Sequence, residues 1–368
     1  MIHTCRHCDA HLSERFLDLG HAPLSNAYLD AAGLQAAEVT YPLRLNVCTA
    51  CRLVQTEDYT SAADVFGADY AYFSSTSSGW VAHAKRYTDM IVERLDLGPD
   101  SFVIELAAND GYLLQHMKAA GVPCLGGEPT TATADAARAK GIEIIEDFFS
   151  MALVETLTAE GKSADLILGN NVYAHVPDIN DFTRAIATAL KPEGMVTLEF
   201  PHLMRMVEHR QFDTVYHEHF SYLSLMTVQR IFETNGLRVV DVEELPTHGG
   251  SLRVYGCRAD ASHVASGNVA SVLAEELTRG MDTPAFYEGF QAEAEAVKDA
   301  AVRFLLDAKR DGKAVAGYGA AAKGNTLMNF AGIRPDLLPR VHDAALAKQN
   351  MFLPGSHIPI LAPSALDD

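Results

Sequence analysis

The middle of the chain alternates between short apolar runs and amphipathic stretches with a helical repeat, the pattern of strands packed between helices. Ser101-Phe-Val-Ile-Glu-Leu-Ala-Ala-Asn-Asp-Gly111 reads as a buried strand, a tight turn and a helix start. Residues 112–121 follow as an amphipathic helix ended by Gly121. Further strands are predicted at 122–128, 141–149, 163–171 and 195–200, with a turn at Lys191-Pro-Glu-Gly194 before the last of them. Such an alternation predicts a parallel sheet that binds ligands beyond the carboxyl ends of its strands. On the N-terminal side, a loop at 23–26 precedes an alternating strand at 39–47. Trp80, Val81, Ala84 and Tyr87 then share one helix stripe after the polar connection 69–78. On the C-terminal side come a strand at 251–255 and an Ala- and Glu-rich helical stretch at 269–309. In 312–328 a strand runs into a glycine-rich turn and a helix start. The α/β chain therefore divides into three units, at 1–72, 73–260 and 261–368.

Composition narrows the partners. The 368 residues carry a formal net charge of −19, which argues against nucleic acid or an anionic membrane as a partner. No apolar run reaches the length of a membrane span and the first twenty residues lack an apolar signal core, so a cytosolic protein is expected. A small anionic ligand remains compatible, held by helix N-termini and one or two Lys or Arg.

Six cysteines are too few for a disulfide scaffold in a chain of this length. Four of them form two Cys-x-x-Cys knuckles, Cys5-Arg-His-Cys8 and Cys48-Thr-Ala-Cys51. Four converging thiolates suit tetrahedral zinc, and a closed site of four leaves no position for water or substrate, so the metal is expected to be structural. A redox pair is the competing reading, but it would not need a second copy.

The turn after the first central strand lacks Gly-x-Gly-x-x-Gly and carries Glu105, Asn109, Asp110 and Gly111 instead. Carboxylates there would repel a pyrophosphate and suit a cationic sulfonium, which points from NAD towards S-adenosylmethionine. A strand–helix pair with no ligand is the alternative. Glu128 ends the second strand 17 residues beyond Gly111, near the spacing expected of an acid that grips a ribose diol. Asp147 and Phe148 end the third strand, a carboxylate and a ring fit for an adenine edge and face, and Asn170 ends the fourth. In the C-terminal unit, Lys323, Asn325 and Thr326 stand at the mouth of the glycine-rich turn, where backbone N–H groups and one Lys would cradle a diphosphate. Tight packing without a ligand is the alternative there.

Tyr216-His-Glu-His219 is the densest run of proton-handling side chains. Alone it fits a polar loop, a proton-transfer site or, with His217 and His219 on one face, a metal site. Its position about fifteen residues past the 195–200 strand puts it on the ligand rim with His175, which favours proton chemistry.

Taken together, the double Cys knuckle, Asp69-Tyr-Ala-Tyr-Phe-Ser-Ser75, Glu105-Leu-Ala-Ala-Asn-Asp-Gly-Tyr-Leu-Leu114, Asn170-Asn-Val-Tyr-Ala-His-Val-Pro-Asp178, Tyr216-His-Glu-His-Phe-Ser-Tyr222 and His248-Gly-Gly-Ser-Leu-Arg253 resemble the nucleotide-sugar C-methyltransferases that branch deoxysugars. The resemblance implies a small zinc domain, a central Rossmann-like class I S-adenosylmethionine methyltransferase domain and a C-terminal Rossmann-like domain facing the sugar nucleotide. It implies methylation of a 4-keto-6-deoxysugar at C3, on a dTDP-linked substrate and with no protein partner; an O- or N-methyltransferase on another small acceptor, or a nucleotide-sugar binding or reductase-like protein, is the alternative. It also implies His219 as base with Glu218 beside it, and Tyr216, Tyr70 and His175 holding sugar oxygens and the enolate. Glu105, Glu128 and Asp147 would hold the cofactor; His217 receives no role. Two departures stand out. The family's Asp-x-Asn-Pro is His342-Asp-Ala-Ala345 here, and relatives continue for a further strand and helix beyond Asp368, so a truncated or short third unit is expected.

Overall fold

The computed structural model describes residues 4–59 and 73–366; Tyr70 lies outside them. Strands β1 (Glu14–Ala22), β2 (Tyr41–Val47) and β3 (Val54–Thr56) pair antiparallel in sequence order. β1 escapes a period-two reading because its register slips twice, between Arg15 and Leu17 and between Asp18 and His21. Phe16 and Leu17, neighbours in sequence, are consequently both buried.

Helix α1 (Ser78–Arg94) starts at Ser77, whose side chain accepts the Trp80 N–H, and buries Ala84, Tyr87, Thr88 and Ile91 on one stripe. The central unit follows as β4 (Val103–Leu106), α2 (Leu114–Ala119), β5 (Cys124–Gly127), α3 (Thr131–Ala139), β6 (Glu143–Ile145), α4 (Met151–Ala159), β7 (Ala164–Asn170), α5 (Ile179–Ala189) and β8 (Leu190–Pro201). Next come α6 (Leu203–Glu208), β9 (Ser221–Tyr222), α7 (Leu225–Thr234), β10 (Leu237–Leu245) and β11 (Ser251–Arg258). The seven-stranded sheet runs β10-β11-β8-β7-β4-β5-β6, with β8 through β6 parallel and the β10–β11 hairpin antiparallel at one edge. The strand order reverses between β4 and β7, which opens a crevice at their carboxyl ends. The turn predicted at 191–194 does not break the chain. β8 begins at Leu190, and a register shift opposite Ala164 and Leu166 absorbs Pro192 and Gly194 within the strand.

β9 leaves this sheet and pairs with β3, so the stretch that carries Tyr216 to His219 is stretched between two sheets. The C-terminal unit comprises α8 (Gly267–Thr278), α9 (Phe290–Arg310), β12 (Gly317–Tyr318), α10 (Ala322–Ala331), β13 (Val341–His342) and β14 (Ile360–Leu361). Its three short strands are parallel, in the order β12-β13-β14. The N-terminal segment packs onto it: Phe16 stacks on Phe290 at 5.0 Å, and the Tyr28 hydroxyl donates to the Ala320 carbonyl at 2.6 Å. Among the described residues no helix is long and apolar enough to cross a membrane.

Candidate functional site

The crevice opens into a cavity of about 710 Å³ whose lining comes from all three units. One wall belongs to the central sheet. Ala107 and Asn109 take positive φ of 52° and 51° in the turn after β4, a conformation Asn tolerates better than most side chains. The Asn109 side-chain oxygen accepts the Ser74 N–H at 2.8 Å, and its own N–H donates to Glu128 at 2.8 Å. Glu128 also accepts the Thr130 N–H and the Thr133 hydroxyl, both at 3.0 Å. Its carboxylate is thus fixed at the cavity edge by three donors. Asn170 lines the same wall with both side-chain polar atoms buried and without a partner. A buried amide left this way marks a place where a ligand completes the hydrogen bonding. Asp147 and Phe148 stand at the mouth, both exposed, and Trp80 and Tyr112 stack at 6.1 Å. These donors, acceptors and rings fit an adenosyl cofactor, whose electrophilic methyl is what the bound group supplies.

Two expectations for this wall need correction. Glu105 is 1% exposed and does not line the cavity. Burial, and then the charge of Glu128, push its carboxyl well above the usual range, which favours the neutral over the ionised form. Gly111 does not reach the cavity either. At φ 73° a Cβ there would lie 2.3 Å from Ile142, so packing against that side chain requires the glycine.

Another part of the lining holds the proton-handling groups. A hydrogen bond from the Phe220 N–H to the Ala174 carbonyl, 2.8 Å long, presses the 216–219 stretch against the turn after β7. His219 meets His175 edge-on at 4.6 Å between ring centroids and lies 4.0 Å from the Tyr216 ring. His219 Nδ1 is 2.8 Å from the Thr214 carbonyl. That contact requires Nδ1 to carry the proton, which leaves the lone pair on Nε2. Burial, and then repulsion from His175, hold His219 well below the ordinary histidine range; burial brings His175 down to about 4. Both rings are therefore neutral at pH 7, and a neutral imidazole with its lone pair on Nε2 is a proton acceptor. Glu218 also lines the cavity, and burial raises its carboxyl to about 7 against the donors Asn26 and Ser25. His217 turns away. Its Nε2 donates to the Pro42 carbonyl at 3.2 Å and its ring packs edge-on against Tyr41, which ties this stretch to β2.

The C-terminal unit contributes Ala321, Ala322, Lys323 and Lys348. Asn325 and Thr326 face elsewhere and do not line the cavity. The Asn325 amide donates to the Ser25 carbonyl at 2.6 Å and the Thr326 hydroxyl to the Val215 carbonyl at 2.7 Å, both buried. The proposed cradle thus reduces to Lys323, because the other two side chains bind backbone groups of neighbouring units.

The structure adds His248 and Asn26, to which the sequence assigned no role. The Asn171 amide donates to His248 Nε2 at 3.1 Å. His248, Gly249 and Gly250 all have positive φ, of 52°, 81° and 123°, and the run His-Gly-Gly was the available signal. Beneath them Glu199 is fully buried and accepts from Arg253 at 2.7 Å, His83 at 2.9 Å and Thr247 at 2.9 Å. Asn26 had no signal beyond a loop.

Apart from the cavity, the four knuckle thiols all lie within 4.8 Å of one another. Cys5 and Cys51, and likewise Cys8 and Cys48, are 3.5 Å apart, too far for a disulfide. A zinc with sulfurs at about 2.3 Å has tetrahedron edges of about 3.8 Å, which these separations match. Gln55 donates to Cys5 at 3.2 Å, as an outer donor to a thiolate would.

Three family models match successive parts of the chain: a zinc binding domain over residues 5–66, a methyltransferase domain over 80–242 and a C-methyltransferase C-terminal domain over 246–368. C-methyltransferase NovU of Streptomyces niveus is 33% identical over 362 residues, spanning 98% of this chain and 86% of that protein. The ubiquinone biosynthesis O-methyltransferase of Bartonella tribocorum is 27% identical over 95 residues, 26% of this chain and 38% of its own length. Among solved structures, magnesium protoporphyrin IX methyltransferase from Synechocystis PCC 6803 has 14% identity and a TM-score of 0.39, over 49% of this chain and 85% of that one. A likeness at that level carries no part of the assignment. The near full-length match does, and the chain belongs to the S-adenosylmethionine-dependent C-methyltransferases that include NovU, with a zinc-binding domain at its N-terminus.

Proposed function

We propose that this C-methyltransferase acts on C3 of a nucleotide-linked 4-keto-6-deoxysugar, with dTDP as the nucleotide. The observation that carries the reading is the neutral His219, with its lone pair on Nε2, lining the same cavity as Glu128 and Asn170. A carbon next to a ketone gives up a proton only to a placed base, and the enolate oxygen needs donors as its charge develops. In this account His219 removes the C3 proton, and Tyr216 and His175 hold the enolate and sugar oxygens. Glu218 accepts a hydrogen bond from the substrate. Asn109, Glu128, Asp147, Phe148 and Asn170 hold the cofactor, and Lys323 offers a cation to the diphosphate. The carbanion then attacks in line with the leaving sulfur, a matter of positioning between two walls. We assign the enzyme to the cytosol; four metal-binding thiolates and the free thiols of Cys124 and Cys257 suit a reducing compartment.

The test is incubation with methyl-labelled S-adenosylmethionine and a panel of nucleotide 4-ketosugars. Label on a sugar carbon next to the ketone supports the reading. Label on oxygen or nitrogen, or on no member of the panel, would overturn it.

A further inference from the structure

The segment that links β1 to β2 sends one turn into the site. Ser25 and Asn26 lie almost two hundred residues before Glu218, yet both donate to its carboxylate. The Ser25 hydroxyl is 3.2 Å from each carboxylate oxygen, and the Asn26 amide is 3.0 Å from one and 2.9 Å from the other. Ser25 is 4% exposed and Glu218 2%, so water does not provide these bonds instead. The turn is itself held from behind, since the buried Asn325 amide of α10 donates to the Ser25 carbonyl at 2.6 Å. Asn26 also lines the cavity.

We propose that Ser25 and Asn26 are positioning residues of the methyl-transfer site: they clamp both oxygens of Glu218, and Asn325 sets the clamp from the C-terminal unit. The geometry is that of a forked acceptor met by two neutral donors, which fixes the carboxylate plane and favours its ionised form. The N-terminal unit therefore has a task beyond holding zinc. It delivers the only described side-chain donors to Glu218, and the C-terminal helix fixes where they stand.

Other titratable groups surround the carboxyl. Tyr28 comes from the same N-terminal segment and Tyr222 from β9; burial raises both phenols, and the charge of Glu218 raises them further. The His175 ring hydrogen-bonds to the Glu218 backbone carbonyl, and Lys323 and Lys348 share the cavity wall. None of these is among the groups that shift Glu218, whereas burial, Asn26 and Ser25 are. The inference rests on the role given to Glu218 above, so its test needs one readout free of substrate.

The experiment pairs infrared titration of the Glu218 carboxyl, identified by difference from Glu218→Gln, with the pH profile of kcat/KM. It uses the zinc-loaded 368-residue enzyme. In Asn26→Leu the carboxyl is expected to titrate about one pH unit higher and kcat to fall about tenfold or more, with the melting temperature close to that of the unaltered enzyme. Ser25→Ala is expected to do the same to a smaller degree, and Ser25→Thr, which keeps the hydroxyl, to restore both. A carboxyl that titrates identically in all variants would overturn the clamp. A shifted carboxyl with unchanged kcat and unchanged pH profile would overturn its positioning role. A shifted carboxyl in an enzyme that methylates no ketosugar would instead remove the substrate assignment and leave the clamp standing.

Discussion

The two walls of the cavity are built in different ways. The cofactor wall comes from one stretch of sequence: its polar groups lie between Asn109 and Asn170, at consecutive strand ends, and its central carboxylate takes three donors from residues at most nineteen positions away. The acceptor wall is assembled from afar. Asn26, His175, Tyr216, Glu218, His219, His248 and Lys323 come from all three units, and their order depends on bonds such as Asn325 to Ser25. Local sequence shapes the first wall. The second exists only once the units have docked, so changes at the two walls should fail in different ways.

The largest expected effect is on the acceptor wall. His219→Asn should lower kcat by about 10²–10⁴ and leave S-adenosylhomocysteine affinity unchanged. Calorimetry beside steady-state kinetics checks this, and a parallel loss of cofactor affinity would merge the two walls. Glu128→Gln should do the reverse. Losing charge-assisted bonds to two N–H groups and a hydroxyl should weaken cofactor binding by about ten- to a hundredfold, with the product per bound turnover little changed.

The pH profile separates the walls further. The depressed histidines predict no acid limb at the ordinary histidine value. A limb near pH 7, with activity rising as Glu218 ionises, should appear instead and vanish in Glu218→Gln. A limb near 6.5 that survives in that variant would assign it to another group. In the N-terminal unit, Cys48→Ser should release zinc, measured by metal analysis, and lower the melting temperature. The smallest effect is on docking. Thr326→Val removes the bond to the Val215 carbonyl and should cost about 1–3 kcal/mol, a few degrees of melting temperature, without changing cofactor affinity.

The same contrast explains what the sequence could convey. Strands β4 and β7 are legible because their apolar runs are buried on both faces, and the turn after β4 is legible because Asn109 and Glu128 sit at predictable offsets. The zinc site is legible because two Cys-x-x-Cys knuckles restrict the chemistry more than any fold does. Tyr216 to His219 are legible as chemistry, yet not in their division of labour. His217 serves β2 while its neighbour two positions on faces the cavity, and only the pairing of β9 with β3 determines which. Glu105, Asn325 and Thr326 mislead for one shared reason. A polar side chain near a strand end or helix start looks like a ligand group, but the first is buried away from the cavity and distant carbonyls occupy the other two. Asn26 is invisible in the sequence because nothing local announces a partner at Glu218.

The most direct test of the two-walled account is solvent deuterium exchange at the carbon beside the ketone. With a nucleotide 4-ketosugar and S-adenosylhomocysteine bound in place of the methyl donor, the enzyme is predicted to exchange one proton at that carbon. His219→Asn is predicted to abolish the exchange while still binding the cofactor analogue. Undiminished exchange in that variant, or methyl transfer to carbon with no exchangeable proton there, would contradict the claim that the acceptor wall moves the proton while the cofactor wall holds the methyl donor.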